Sequence, residues 1–204
     1  NNGYDGRIDF KPFYLSANFD YKGLSTKNLL NQNSIFIDFI QTNILNSKNL
    51  NAKININVND ITNNDELNSL LLNISIDQGV IGFSGSNIMW KDACKIILSE
   101  SVLSYDGEEI DLIGKLIFDF EDINNIYRAF QINKNDRKDI NGIEIDFVYS
   151  LNQKKITFDN VKIEKSSNTN VQKFLDEFNL KNKKIFNKIT FKNFVNDFFS
   201  SYAG

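Results

Sequence analysis

The side chains that could carry chemistry in this chain are carboxylates, in two clusters: Asp106, Glu108 and Glu109, and Asp119, Glu121 and Asp122. Two acids held across a cleft, about 5 Å or roughly 6.5 to 9.5 Å apart, can hydrolyse a glycosidic bond. Turn and capping duties explain these acids more simply. The first cluster brackets Gly107 in a hairpin turn, and Asp122 stands where it can cap a helix over residues 123–131. There is no histidine, which removes Ser-His-Asp and Cys-His catalysis in their usual forms together with the commonest zinc ligand. The single cysteine, Cys94, lies among Ala93, Ile96 and Ile97 and reads as an inert, half-buried thiol with no partner for an internal disulfide. Gly79, Gly82 and Gly85 fall inside a strand pattern and lead into no helix, so they make no dinucleotide turn, and there is no phosphate-binding loop. These residues point away from an enzyme, and neither a cofactor nor a metal is expected.

The elements that would have to position such groups are strands. Side chains in a strand project to alternate faces, so apolar-polar alternation marks a strand with one greasy and one wet side. Ile110, Leu112, Leu116, Phe118 and Phe120 oppose Asp111, Lys115 and Asp119; Ile143, Ile145, Phe147 and Tyr149 oppose Glu144, Asp146 and Ser150; Ile156 and Phe158 oppose Thr157 and Asp159. The same alternation runs through Phe13, Leu15, Ala17, Phe19 and Tyr21, through Ala52, Ile54, Ile56 and Val58, and through Leu70, Leu72, Ile74 and Ile76. Further strands are expected over residues 80–90 and 95–103, with turns at Asp77-Gln78-Gly79 and Tyr105-Asp106-Gly107. Such short spacing predicts an antiparallel meander.

Helices are fewer. Ser25 or Thr26 can cap a helix over 25–44, with a strand over 34–42 as the alternative, and a short helix is expected near 122–131. Beyond residue 166 the pattern becomes helical, over 171–178 and 189–202, with Phe191, Phe194, Val195, Phe198 and Tyr202 at helical spacing. The polar side of that last helix carries Asn193, Asn196 and Asp197, not the Lys or Arg a lipid surface favours, so it is expected to dock on the sheet. A net charge of −3, from 23 basic and 26 acidic residues without a dense basic cluster, argues against nucleic acid. No apolar run approaches the roughly 18 to 20 residues of a membrane span. The opening Asn-Asn-Gly-Tyr, already in strand pattern by Gly6, is expected of a piece cut from a longer protein.

Gly6-Arg-Ile-Asp-Phe-Lys-Pro-Phe13, Gly114-Lys-Leu-Ile-Phe-Asp-Phe-Glu-Asp122 leading into Tyr127-Arg-Ala-Phe-Gln131, the basic Arg137-Lys138 and the ending Asn196-Asp-Phe-Phe-Ser-Ser-Tyr-Ala-Gly204 together resemble the C-terminal region of AsmA-like proteins. The resemblance implies a periplasmic module of a longer protein, held at the bacterial inner membrane by an N-terminal helix outside this chain. It also implies repeating β-groove modules that carry phospholipid toward the outer membrane.

The expected fold is therefore mainly β: a curved antiparallel sheet, either a β-groove or a β-sandwich-like meander, with a few short helices including one at the C-terminus. Residues 1–165 are expected to form the sheet domain and residues 166–204 a helical segment packed on it. The candidate groove face is Ile54, Ile56, Val58, Leu72, Ile74, Ile76, Leu116, Phe118, Phe120, Ile145 and Phe147. Its expected occupants are phospholipid acyl chains, with other envelope proteins or neighbouring β-groove modules as partners. The alternative is a scaffolding domain with a closed core that presents Arg128, Lys134, Arg137 and Lys138, or exposed aromatic residues, to a protein.

Overall fold

A computed structural model describes residues 3–10, 13–25, 49–62, 64–105, 109–181 and 188–204. The chain is mainly β and divides into two compact units. The first comprises Asn1–Lys91 with Ile97–Ser104, the second Asp92–Ile96 with Tyr105–Gly204. The division falls within one strand rather than near residue 165, and the C-terminal helices share a unit with the strands that precede them.

In the first unit β1 (Gly3–Phe10), β2 (Phe13–Tyr21), β4 (Asn51–Val58) and β6 (Leu67–Asp77) lie side by side in that order, and β3 (Leu24–Ser25) pairs with β5 (Ile61–Thr62). β7 (Val80–Gly82) and β8 (Asn87–Trp90) both pair with β6, and β9 (Cys94–Tyr105) contributes Ile97–Ser104. The sheet is mixed, not a pure antiparallel meander, because β2 and β4 run parallel, as do β3 and β5. Parallel neighbours need a crossover of a dozen or more residues, and residues 22–50 supply that length. The helix expected over 25–44 lies outside the described residues apart from Ser25, which is in β3.

Gln78 and Gly79, both at positive φ, close the β6–β7 hairpin as the sequence predicts. The strand expected over 80–90 is interrupted. Gly85 adopts φ 86, and the ladder opens opposite Asn73 of β6. Ser86 fills the gap: its buried hydroxyl accepts the Asn73 N–H at 2.9 Å and donates to the Asn73 carbonyl at 3.1 Å.

The second unit holds β10 (Ile110–Phe120), β11 (Gly142–Ser150), β12 (Lys155–Ile163) and β13 (Ser166–Ser167), paired antiparallel in that order. Between β10 and β11 lies α1 (Ile123–Phe130), capped as expected by Asp122, whose carboxylate accepts the Asn124 N–H at 3.0 Å. The chain ends in α2 (Thr169–Leu180), capped by Asn168, and α3 (Lys188–Ala203).

One irregularity decides which residues of β12 are buried. The register shifts opposite Glu144 and Asp146, where β12 carries an extra residue, and Asn160 there adopts φ 45. Strict alternation would put Phe158 and Val161 on opposite faces; the bulge returns Val161 and Ile163 to the side of Phe158. All three are buried.

α2 lies along the outer edge of β12. The Asn179 side chain accepts the Phe158 N–H at 3.0 Å and donates to the Phe158 carbonyl at 2.6 Å, and Gln172 accepts the Val161 N–H at 3.1 Å. Two side chains thus occupy edge groups that another strand would otherwise take. Behind this clamp, Phe194 of α3 meets Phe158, Phe174, Phe178 and Phe198 at centroid separations of 5.3, 5.5, 4.8 and 6.5 Å. Val171 and Leu175 of α2 are wholly buried.

Cys94 is buried completely, beyond the half-burial expected, and burial followed by the charge of Asp119 pushes its pKa from 9.0 up to about 12. The fold therefore favours the neutral thiol. Its contribution is intact below pH 9 and is lost as pH rises from 9 toward about 12. Unfolding free energies from urea titrations between pH 9 and pH 11 should decline less steeply for Cys94→Ala than for the wild type, by roughly 1 kcal/mol per pH unit. Parallel slopes would remove Cys94 as the cause.

Candidate functional site

The strand register turns the separate alternations of the first unit into one face. Ile8, Leu15, Ala52, Ile76, Ile81 and Leu103 stand opposite one another in sequence across β1, β2, β4, β6, β7 and β9. Gly6, Ala17, Ile54 and Ile74 form the next rung, and Tyr4, Phe19, Ile56 and Leu72 the third. The opposite face is polar, with Asn55 donating to Asn18 at 2.7 Å and Asn18 to Asp5 at 3.0 Å. Hydrogen-bonded amides and carboxylates hold the wet side in register, so the apolar side is presented as a unit.

Exposure grades along this face. Ala52, Ile76 and Ile81 are 3%, 6% and 2% exposed, whereas Ile8, Phe10 and Tyr4 at the β1 end are 54%, 76% and 86% exposed. Phe19, Ile56 and Leu72 lie between, half-buried, and Phe19 stacks on Tyr21 at 6.5 Å. Of the expected groove residues here, Ile54, Ile56 and Leu72 retain accessible surface, while Val58, Ile74 and Ile76 are core.

The five expected residues of the second unit also share one face. Leu116 stands opposite Ile145, Phe118 opposite Ile143, and Gly114 opposite Phe147. Ile145 and Phe147 are only 4% and 5% exposed, and Phe158, directly across from Phe147, carries the rings of α2 and α3. Leu116, Phe118 and Phe120 are half-buried. Ile145 and Phe147 are therefore core residues, not groove lining.

The residues missed by sequence reasoning are Tyr4, Ile8 and Phe10 of β1 and the apolar side of β2. Their alternation is readable, but their place beside Ile54 and Ile56 follows from a parallel pairing that local pattern does not encode.

Of the other candidates, Arg137, Arg128 and Glu109 have partners in the structure. Arg137 donates Nε and Nη2 to the Ile132 carbonyl at 3.1 and 2.9 Å, and Arg128 lies 3.8 Å from the Asp122 carboxylate. Lys134 and Lys138 are exposed. Glu109 accepts from Gln153 at 2.5 Å, and Asp106 and Glu108 lie outside the described residues. Among the described residues no group of three metal-ligating side chains comes together, and no helix is long and apolar enough to cross a membrane.

Comparison with protein families, with characterised proteins and with solved structures yields no match.

Proposed function

We propose that the first unit binds acyl chains of lipids along the apolar face of β1, β2, β4 and β6. The observation that carries this reading is the rung Tyr4–Phe19–Ile56–Leu72, aligned across four strands and accessible along its length. Burial of a hydrocarbon chain gains about 0.8 kcal/mol per methylene without directional groups, so a strip of Ile, Leu, Phe and Tyr is sufficient and no catalytic residue takes part. A uniform strip also lets a chain slide with little change in energy, which suits transfer better than storage. The AsmA-like resemblance supplies the setting within this proposal: a periplasmic module of a longer, inner-membrane-anchored protein that handles phospholipid.

For the second unit the scaffolding reading is favoured, because the Phe158, Phe178 and Phe194 rings pack on its sheet face and Ile145 and Phe147 are buried.

Photocrosslinking tests both statements. A photoreactive residue at Phe19, Ile56 or Leu72 should capture phospholipid from vesicles or from the expressing cell. Positions Lys53 and Asn55 on the polar face, and Ile145 and Phe147 in the second unit, should not. Capture from Asn55 equal to that from Ile56 sinks the acyl-chain reading.

A further inference from the structure

β1 pairs with β2 and, among the described residues, with no other strand. Every residue of β1 except Asp9 is exposed, and no described strand takes the outer row of its main-chain N–H and C=O groups. Charge and shape along this edge are self-complementary. Tyr4, Gly6, Ile8 and Phe10 project to one face; Asp5, Arg7 and Asp9 project to the other, with Arg7 Nε 2.9 Å from the Asp9 carboxylate.

We propose that β1 is a self-association edge, on which a second copy of this chain pairs its own β1 antiparallel about a two-fold axis through Gly6. In that register Arg7 of each copy stands opposite Asp5 of the other, and Tyr4 opposite Ile8, so both cross-strand pairs occur twice. The apolar faces of the two copies then lie on the same side of the joined sheet. Gly6 meets Gly6 at the axis, so no like side chains are set against each other there. The same position already demands glycine within the chain, since a Cβ there would meet the Ser16 carbonyl oxygen at 2.9 Å.

Alternative registers are poorer. An axis through Arg7 sets Arg7 against Arg7 and Asp5 against Asp9. An axis between two residues sets odd against even positions, whose side chains project to opposite faces, and antiparallel pairing does not allow that. An axis through Ile8 keeps Arg7 opposite Asp9 but overlaps only residues 6–10 of the described strand, whereas the Gly6 axis overlaps residues 3–9. A protein partner of another sequence has no such reason to match. The pairing needs no lipid and stands or falls apart from the acyl-chain reading.

Sedimentation velocity of lipid-free chain over a hundredfold concentration range should show a monomer–dimer equilibrium. Arg7→Glu, with its circular dichroism spectrum unchanged, should weaken it about tenfold or more by converting two attractive pairs into repulsive ones, and adding Asp5→Lys should restore it. Oxidative cross-linking fixes the register, because buried Cys94 does not compete. Tyr4→Cys chains should cross-link to Ile8→Cys chains, and neither to itself. A wild-type chain that stays monomeric, or a dimer indifferent to Arg7→Glu, overturns the proposal. Self-cross-linking of Ile8→Cys, with rescue of Arg7→Glu by Asp9→Lys, overturns the Gly6 axis.

Discussion

Replacing Phe194 by alanine should cost about 3 kcal/mol of stability, measured by urea unfolding, and its effect should centre on the second unit. Phe194 holds four other rings within 6.5 Å, from β12, α2 and α3 itself. Phe194 is half-buried, so truncation costs chiefly these tilted and edge-on ring contacts, together with the apolar area that they cover. Phe191, on the same helix but 41% exposed and meeting only the Phe130 ring among the described residues, supplies the comparison. Phe191→Ala should cost under about 1 kcal/mol. Equal losses at the two positions would mean that the helix contributes surface area alone and that the aromatic cluster has no special place in closing the unit.

The second large effect is expected at Tyr127. Its side chain is 1% exposed, meets Phe199 edge-on at 5.0 Å, donates its hydroxyl to the Lys138 carbonyl at 2.6 Å and accepts the Lys138 N–H at 3.2 Å. One residue thus joins α1, α3 and the loop that follows α1. Tyr127→Ala should cost about 4 kcal/mol, while Tyr127→Phe, which keeps the ring and orphans the Lys138 groups, should cost about 1 to 2 kcal/mol. Burial raises the Tyr127 pKa, so the fold favours the neutral phenol and its contribution declines only at alkaline pH. Tyr127→Phe should remove that part of the alkaline decline. If the phenylalanine variant loses as much as the alanine one, the hydroxyl and not the ring organises the loop.

The sequence made the strands readable because each half-buried strand carries its own period. β4, β6, β10 and β11 need no neighbour to be recognised, and Asp122 announces α1 by the same local logic. What was not readable depends on residues far apart. The parallel pairing of β2 with β4 leaves no mark within either strand, so Tyr4, Ile8 and Phe10 could not be joined to Ile56 and Leu72. The bulge at Asn160 breaks parity without a glycine to signal it, so Val161 reads as outward while it is core. The gap at Gly85 divides what reads as one strand, since a serine hydroxyl could replace a length of backbone pairing. Whether an apolar face is a groove or a core is the least local property of all. Ile56 and Phe147 have the same alternating neighbours, yet the second lies in a unit whose own C-terminal helices supply a layer of phenylalanines.

The clamp of Asn179 and Gln172 on β12 has a meaning beyond the second unit. In the language of polymer chemistry, a chain with two reactive strand edges is bifunctional and grows into fibres, whereas a chain with one is monofunctional and can only couple. Among the described residues, β1 has no partner along its outer edge, whereas β12 is terminated by two amides and by the two-residue β13. Coupling through β1 therefore quenches at two copies. Asn179→Ala combined with Gln172→Ala would free the Phe158 N–H and carbonyl and the Val161 N–H, while β13 would still cover Lys162 and Ile163.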